Sequence, residues 1–162
     1  MIYLDNNATT RIDDTVLDAM LPYLKEDYGN ASSIQHKQGR IAHQAVENSR
    51  DLIAQYLQVQ PKEIFFTSGA TESISSTIKG IYERYQTIGN HIITCKSEHK
   101  AVLAACEAIA KKGAQITYLA VDEQGQINSN ELRNAIRKET ILVCLMAVNN
   151  ETGVIHPIAK IA

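Results

Sequence analysis

The sequence predicts an α/β fold in which a mostly parallel sheet is flanked by helices. From residue 63 onward, short and nearly continuous apolar runs alternate with amphipathic segments, as in parallel strands that are covered on both faces. Around residue 67 an apolar run gives way abruptly to small hydroxylated residues, which indicates a strand that turns directly into a helix. The chain has 162 residues, 44% of them hydrophobic, which is enough for the core of one domain.

The N-terminal part of the chain is predicted to be mainly helical. Residues 2–4 form a short extended piece, and a polar loop follows at residues 5–11. Apolar residues at helical spacing predict a helix from Asp13 or Asp14 to about Leu24, which Pro22 can bend. Turn-forming residues then lead into a long amphipathic helix over about residues 39–57.

Strands and helices alternate in the rest of the chain. Strands are predicted at residues 64–67, 92–95, 116–121 and 140–148, and helices at about residues 72–85, 100–111 and 129–137. Asn128 and Glu131 form a capping-box pattern at the start of the last of these helices. Ligands of such sheets bind at the carboxyl ends of the strands, where residues 68–71, 97–99 and 149–152 would meet. Pro157 opens a further helix that stops after about one turn, which suggests a fold cut in mid-course.

The turn with the sequence TSGATE, at residues 67–72, is a candidate phosphate site. The first N–H groups of a helix lack partners and the helix dipole favours negative charge, so a phosphate can bind there. Ser68 and Thr71 would add hydroxyl donors, and Gly69 with Ala70 would let the backbone approach closely. The alternative is that Ser68 or Thr71 merely caps the helix. Neither a Walker-type Gly-Lys-Ser nor a dinucleotide glycine pattern is present in the sequence.

Composition and charge argue against several classes of partner. A net charge of −2, with the charges dispersed, provides no basic field for nucleic acid or acidic lipid. The N-terminus turns polar after four residues and no apolar run approaches membrane-spanning length, so we expect a cytoplasmic location. Cys95, Cys106 and Cys144 lie in apolar contexts and are interpreted as reduced core residues. The five histidines show no metal-binding spacing, so no metal is assigned.

Five motifs, in order along the chain, point to a family. They are YLDNNATT at 3–10, YGNASS at 28–33, TSGATES at 67–73, SEHKAV at 97–102 and VNNETG at 148–153. With these motifs the chain resembles the N-terminal part of cysteine desulfurases, which are pyridoxal-phosphate-dependent enzymes of aminotransferase class V. The resemblance is greatest to the cysteine desulfurases of nitrogenase and iron–sulfur cluster assembly.

The resemblance implies the large domain of aminotransferase fold type I, incomplete here and preceded by an N-terminal arm. Residues 1–12 would form the arm, and residues 13–162 would be part of the large cofactor-binding domain. Enzymes of this family convert L-cysteine to L-alanine and an enzyme-bound persulfide, with pyridoxal 5'-phosphate as the electron sink. The resemblance also implies a homodimer, and an iron–sulfur scaffold or another sulfur acceptor as partner.

Four residues match positions of the family's cofactor site. Ala70 and Thr71 match residues that bind the cofactor phosphate. His99 matches the residue that stacks on the pyridine ring, where an imidazole can both pack and act as an acid or base. Asn150 matches the asparagine whose amide reaches the ring hydroxyl. Without the family context, His99 could be an exposed residue that opens a helix, and Asn150 a plain turn residue.

Other family features differ or are absent. Ala31 and Arg11 stand where proline is usual or frequent, and Ile74-Ser75 where asparagine is common, but none of these changes removes a phosphate ligand. The sequence lacks the Asp-x-Ala-Gln stretch that pairs with the pyridine nitrogen and the Ser-x-His-Lys stretch that bears the cofactor lysine. Lys100 is rejected as that lysine because a helical segment follows it.

The catalytic cysteine loop and the arginine that binds the substrate carboxylate are expected beyond residue 162. We therefore expect the chain alone to be inactive. Two other interpretations stay open at this point: a non-catalytic binding or interaction module derived from the same fold, and a nucleotide-binding α/β domain.

Overall fold

The computed structural model describes residues 2–161. Met1 and Ala162, which end the predicted N-terminal arm and the predicted last helix, lie outside the described residues. The chain divides into two compact units, one ending at Phe66 and the other beginning at Thr67. No helix within residues 2–161 is both long enough and apolar enough to cross a membrane.

The first unit is helical, as the sequence predicts. Helix α1 spans Asp14–Lys25 and α2 spans Lys37–Leu57, and they are followed by a short 3-10 helix at Pro61–Glu63 that the sequence analysis did not predict. Asp13 caps α1 by accepting a hydrogen bond from the N–H of Thr15 at 2.9 Å. Gln58 ends α2 in the left-handed conformation, with φ of 57°.

The second unit is a parallel sheet with helices on both faces. Its central strand β1 is His91–Cys95, which pairs in parallel with β2, Gln115–Leu119, on one side and β3, Thr140–Val143, on the other. The helices are α3, Ala70–Tyr85; α4, Lys100–Ala110; α5, Ser129–Ala135; and α6, Ile158–Ile161. The predicted α/β fold class is confirmed.

Each face of β1 has its own apolar core. Ile92 packs with Ile78 of α3 and Cys106 of α4, whereas Ile93 packs with Leu119 of β2 and Leu132 of α5. Alternate side chains of a strand point to opposite faces, so neighbouring isoleucines enter different cores. Both are fully buried. The two cores therefore hold β1 in place, and with it the segment that follows its carboxyl end.

One predicted strand is absent from the described residues and two others are shorter than predicted. Residues 64–67 form no strand among residues 2–161, because the N–H of Ile64 bonds to the carbonyl of Pro61 and its carbonyl accepts from Arg50. The strand predicted at 116–121 ends at Leu119. The strand predicted at 140–148 ends at Val143, because the backbone N–H of Met146 donates to a side chain instead of a neighbouring strand.

The three cysteines lie in the core, as the sequence predicts. Cys95 and Cys106 are buried and Cys144 is half-buried, and none of the three forms a disulfide in the described part of the chain. Burial raises the pKa of the Cys106 thiol to about 11 and also raises the pKa of Cys144. Both are therefore neutral thiols at neutral pH, and such thiols are poor nucleophiles.

His91 connects the three strands from inside the sheet. Its Nδ1 lies 2.8 Å from Oγ1 of Thr140 on β3, and its Nε2 lies 2.8 Å from Oγ1 of Thr117 on β2. A neutral imidazole has one donor and one acceptor, and hydroxyl groups can complement both. Burial lowers the pKa of His91 and the charge of Arg137 lowers it further, while Glu139 acts in the opposite direction.

We expect the free energy of unfolding to contain a His91 contribution that is full above pH 6.5 and is lost as the pH falls through the lower folded-state pKa. The reason is that the unfolded chain binds the proton first. Urea unfolding of wild type and His91→Gln from about pH 7.5 to about pH 5 measures this contribution as the difference between the two pH slopes. His43→Gln, an exposed position in α2, is the control. Equal slopes for wild type and His91→Gln would contradict the prediction.

Candidate functional site

Two loops at the carboxyl ends of neighbouring strands carry the predicted ring-binding residues. His99 follows β1, and Asn150 follows β3. The two residues line one cavity of about 490 Å³, whose other lining residues are Ser97, Glu98, Lys100 and Glu151. The structure thus brings together two of the four predicted site residues. Ala70 and Thr71 do not line this cavity and instead open α3.

His99 is the N-cap of α4. Its Nδ1 accepts a hydrogen bond from the backbone N–H of Ala101 at 3.1 Å, and its backbone is extended, with φ of −60° and ψ of 145°. The side chain is exposed, so the capping bond fixes the orientation of the ring without covering it. Because Nδ1 accepts, a neutral ring carries its proton on Nε2. The ring can therefore both pack against a flat ligand and exchange a proton at Nε2.

Asn149 and Asn150 have opposite environments. Asn149 is buried, and its Oδ1 accepts from the backbone N–H groups of Glu151 and Thr152 at 2.9 and 3.0 Å. The turn closes where the N–H of Gly153 donates to the Asn149 carbonyl at 2.8 Å, with Gly153 at φ of 73°. Asn150 is exposed at the tip of this turn. Asn149 therefore forms the turn, and Asn150 is the asparagine presented to the cavity.

The start of α3 is open to an anion. Gly69 is its N-cap, and no side chain in the described part of the chain makes a capping hydrogen bond there. The alternative interpretation, in which Ser68 or Thr71 caps the helix, is wrong. Gly69 has φ of 157° and ψ of −177°, a conformation that glycine alone adopts readily, and a Cβ atom there would meet nothing within 4 Å. A ligand can therefore approach the N–H groups of Ala70 and Thr71, which the helix itself cannot pair.

Ser68 has a different partner from the one that the sequence predicts. Its backbone N–H donates to Oε2 of Glu72 at 2.6 Å, and its side chain also bonds to that carboxylate, which lowers the pKa of Glu72. The turn therefore already holds one oxygen anion from its own chain. Of the groups predicted to donate hydrogen bonds to a phosphate, those of Ala70 and Thr71 remain.

Three further residues of this region have no individual role in the sequence-based prediction, although two of them lie within the ranges 97–99 and 149–152 that it places at the carboxyl ends of the strands. Glu98 and Asn149 each directly precede a predicted site residue, and both are buried. Their position beside His99 and Asn150 was the available signal, but a local pattern does not show which of two adjacent polar residues turns inward. Lys100, rejected as the cofactor lysine, is the first residue of α4 and lines the same cavity.

Known proteins are similar to this chain over nearly its whole length. IscS, a cysteine desulfurase of Anaeromyxobacter sp. (strain Fw109-5), is 49% identical over 160 residues, which cover 99% of this chain and 40% of that protein. A solved NifS-like protein superposes with a TM-score of 0.94 at 42% identity, covering 99% of this chain and 44% of that one. A solved structure of SspA in complex with cysteine gives a TM-score of 0.90 at 36% identity, covering 98% of this chain and 46% of that one.

The chain spans less than half the length of these relatives. Its architecture is part of the aminotransferase fold type I that its structural neighbours have, as the sequence predicts. The family model described as aminotransferase class-V matches residues 2–162. The chain therefore belongs to the class-V aminotransferase family.

Proposed function

We propose that this chain is part of a pyridoxal-phosphate-dependent cysteine desulfurase, which converts L-cysteine to L-alanine and an enzyme-bound persulfide for iron–sulfur cluster assembly. The observation that carries the proposal is the 49% identity to a cysteine desulfurase across 99% of the chain. The cavity shared by His99 and Asn150 supports it, because these are the two residues assigned to the cofactor ring.

The donor groups of the second unit fit pyridoxal 5'-phosphate. Ala70 and Thr71 offer backbone N–H groups at a helix start, which suit a phosphate. His99 offers an exposed imidazole held at a fixed angle, which suits an aromatic ring. Asn150 offers an amide on the same cavity, which suits the ring hydroxyl.

Each residue then has a separate role. Ala70 and Thr71 bind the phosphate, His99 packs on the ring and holds or transfers a proton at Nε2, and Asn150 orients the ring hydroxyl. When bound, pyridoxal phosphate supplies the electron sink that stabilises a carbanion at the substrate Cα. None of these roles needs Lys100.

The complete enzyme would have further properties that the family suggests. We propose that residues 1–12 act as an N-terminal arm and that residues 13–162 belong to the large cofactor-binding domain of a cytoplasmic homodimer. The persulfide sulfur would pass to an iron–sulfur scaffold or another acceptor.

Cofactor binding by the chain is the first test. Pyridoxal 5'-phosphate should raise the melting temperature more than pyridoxal or inorganic phosphate does, because it engages the phosphate and ring residues together. ATP and NAD are tested separately in the same assay as alternative ligands. Stabilisation by a nucleotide and not by pyridoxal phosphate would favour the nucleotide-binding alternative.

We expect the chain alone to release no alanine from L-cysteine in the presence of pyridoxal phosphate and dithiothreitol, because its sequence lacks the lysine and aspartate motifs. Co-expression with the remaining part of the Anaeromyxobacter relative should restore alanine formation, measured by amino-acid analysis. Failure of restoration by a chain that still binds pyridoxal phosphate would favour the non-catalytic module.

A further inference from the structure

We propose that Glu98 and Asn149 are positioning residues that lock the two loops of the candidate site to each other and thereby set the position of His99 relative to Asn150. The histidine loop is residues 96–99, and the asparagine loop is residues 144–153. The identity of the ligand rests on the proposed function. The lock, by which we mean the hydrogen bonds of the Glu98 and Asn149 side chains to the opposite loop, rests only on contacts within the second unit.

Glu98 reaches from the histidine loop to the asparagine loop. Its side chain is buried, at 8% exposure, and its Oε1 accepts a hydrogen bond from the backbone N–H of Met146 at 2.5 Å. The backbone N–H of its neighbour His99 also favours the charged carboxylate. One carboxylate thus connects backbone groups of both loops across 48 residues of sequence.

Asn149 makes the reverse connection, from the asparagine loop to the histidine loop. It is 5% exposed, and its Nδ2 donates to the carbonyl of Ser97 at 3.0 Å. Its Oδ1 is used by the turn that presents Asn150. Each loop therefore sends one buried polar side chain onto the backbone of the other.

These connections begin where the sheet stops. The β1–β3 ladder ends at the pair Ile93 and Val143, and the last backbone bond between the two segments runs from the N–H of Cys144 to the carbonyl of Ile93 at 2.9 Å. Beyond that point, strand pairing no longer sets the distance between the loops. The Glu98 and Asn149 side chains connect the loops in this region.

The chemistry of Glu98 also indicates a positional role. Burial raises its pKa, while hydrogen bonds from Met146 and His99 and the charges of His156 and His99 act in the opposite direction. Burying a charged carboxylate costs free energy, and its hydrogen bonds must offset that cost before any net stabilisation remains. A buried carboxylate at this place is therefore better explained by the directed bonds that it makes than by stability.

The lock can be tested without any ligand, by amide hydrogen exchange of the chain. Glu98→Ala should speed exchange of the Glu151 and Thr152 amides by about tenfold, although these amides do not touch Glu98. Asn149→Asp keeps the Oδ1 acceptor of the turn but loses the Nδ2 donor to the Ser97 carbonyl. It should similarly speed exchange of the Glu98 amide, which lies in the loop that is not mutated and donates to the Cys95 carbonyl. Glu98→Gln, which keeps an acceptor oxygen, should restore part of the protection.

Two controls and a double variant separate the lock from general destabilisation. Glu107→Ala and Asn134→Asp make the same chemical changes at exposed helix positions and should leave these amides unchanged. In the double variant Glu98→Ala/Asn149→Asp, the amides of the two loops should exchange no faster than in the faster-exchanging single variant. The reason is that loss of either side-chain hydrogen bond already frees both loops. Effects confined to the mutated loop would overturn the proposal. If Glu98→Ala does not fold, Asn149→Asp still gives the comparison between the two loops, with the Glu98 amide as the readout.

Ligand binding gives a second readout, which a general loss of structure would not produce. Glu98→Ala and Asn149→Asp should each lower the affinity for pyridoxal 5'-phosphate by about tenfold. The affinity for inorganic phosphate, measured by NMR at the Thr71 amide, should stay within about twofold of the wild-type value. An equal loss for both ligands would overturn the lock. If the wild-type chain shows the loop coupling and binds no pyridoxal phosphate, the proposed function fails and the lock stands.

Discussion

Ala70→Asp should weaken the binding of pyridoxal 5'-phosphate by about a hundredfold, while the chain stays at least as stable as the wild type. Ala70 is the first residue of α3, and its N–H is one of the proposed phosphate donors. A carboxylate at this position would lie beside a phosphate that carries almost two negative charges. Repulsion between them accounts for the expected loss of affinity.

The same carboxylate should help the fold, because acidic residues in the first turn of a helix interact favourably with its dipole. Glu72 is the acidic residue already present in this first turn, and side-chain and backbone hydrogen bonds with Ser68 lower its pKa. Binding and stability therefore move in opposite directions in Ala70→Asp. A variant that damaged the fold in general would lower both.

Ser129→Asp is the matched control, because it places the same acid at the first residue of α5. It should leave binding of pyridoxal phosphate unchanged. Isothermal titration gives the affinities, and urea unfolding gives the stabilities. Wild-type affinity in Ala70→Asp would mean that the phosphate binds elsewhere, and the roles of Ala70 and Thr71 would have to be withdrawn.

The fold was predictable where local pattern and tertiary structure agree. The apolar run at residues 92–95 becomes the central strand, and helix starts at Asp14 and Lys100 lie where capping and periodicity place them. The apolar run at residues 64–67 shows where local pattern and tertiary structure disagree. Its composition suits a strand, but a strand also needs a neighbouring strand to bond with, and Ile64 bonds instead to Pro61 and Arg50.

The candidate site was predictable in its location and less so in its contacts. Parallel strands place the residues that follow them at one edge of the sheet, so His99 and Asn150 could be expected to meet. Sequence could not show that Glu72 takes the donors of Ser68, or that Asn149 turns inward and Asn150 outward. The inward position of Asn149 depends on its hydrogen bond to Ser97, which is 52 residues away in sequence. A pattern of neighbouring residues cannot show a contact over that separation.

Ile92→Ala should lower the free energy of unfolding of the second unit by about 4 kcal/mol, towards the upper end of the usual cost of such a truncation. Ile92 is fully buried in the central strand, with β2 and β3 on its two sides and with α3 and α4 packed over it. A site enclosed in this way cannot relax far into the space that the lost atoms leave, so a cavity remains and adds to the loss of apolar burial.

Ile88→Ala removes the same atoms from a side chain that is 74% exposed, and should cost less than about 0.5 kcal/mol. Hydrogen exchange of peptides from residues 67–161, measured as a function of urea, reports the stability of the second unit itself. A cost for Ile92→Ala close to that of Ile88→Ala would mean that the α3 and α4 face of the sheet is not packed as the structure shows. The position of the histidine loop would then lack the support that the core of β1 gives it.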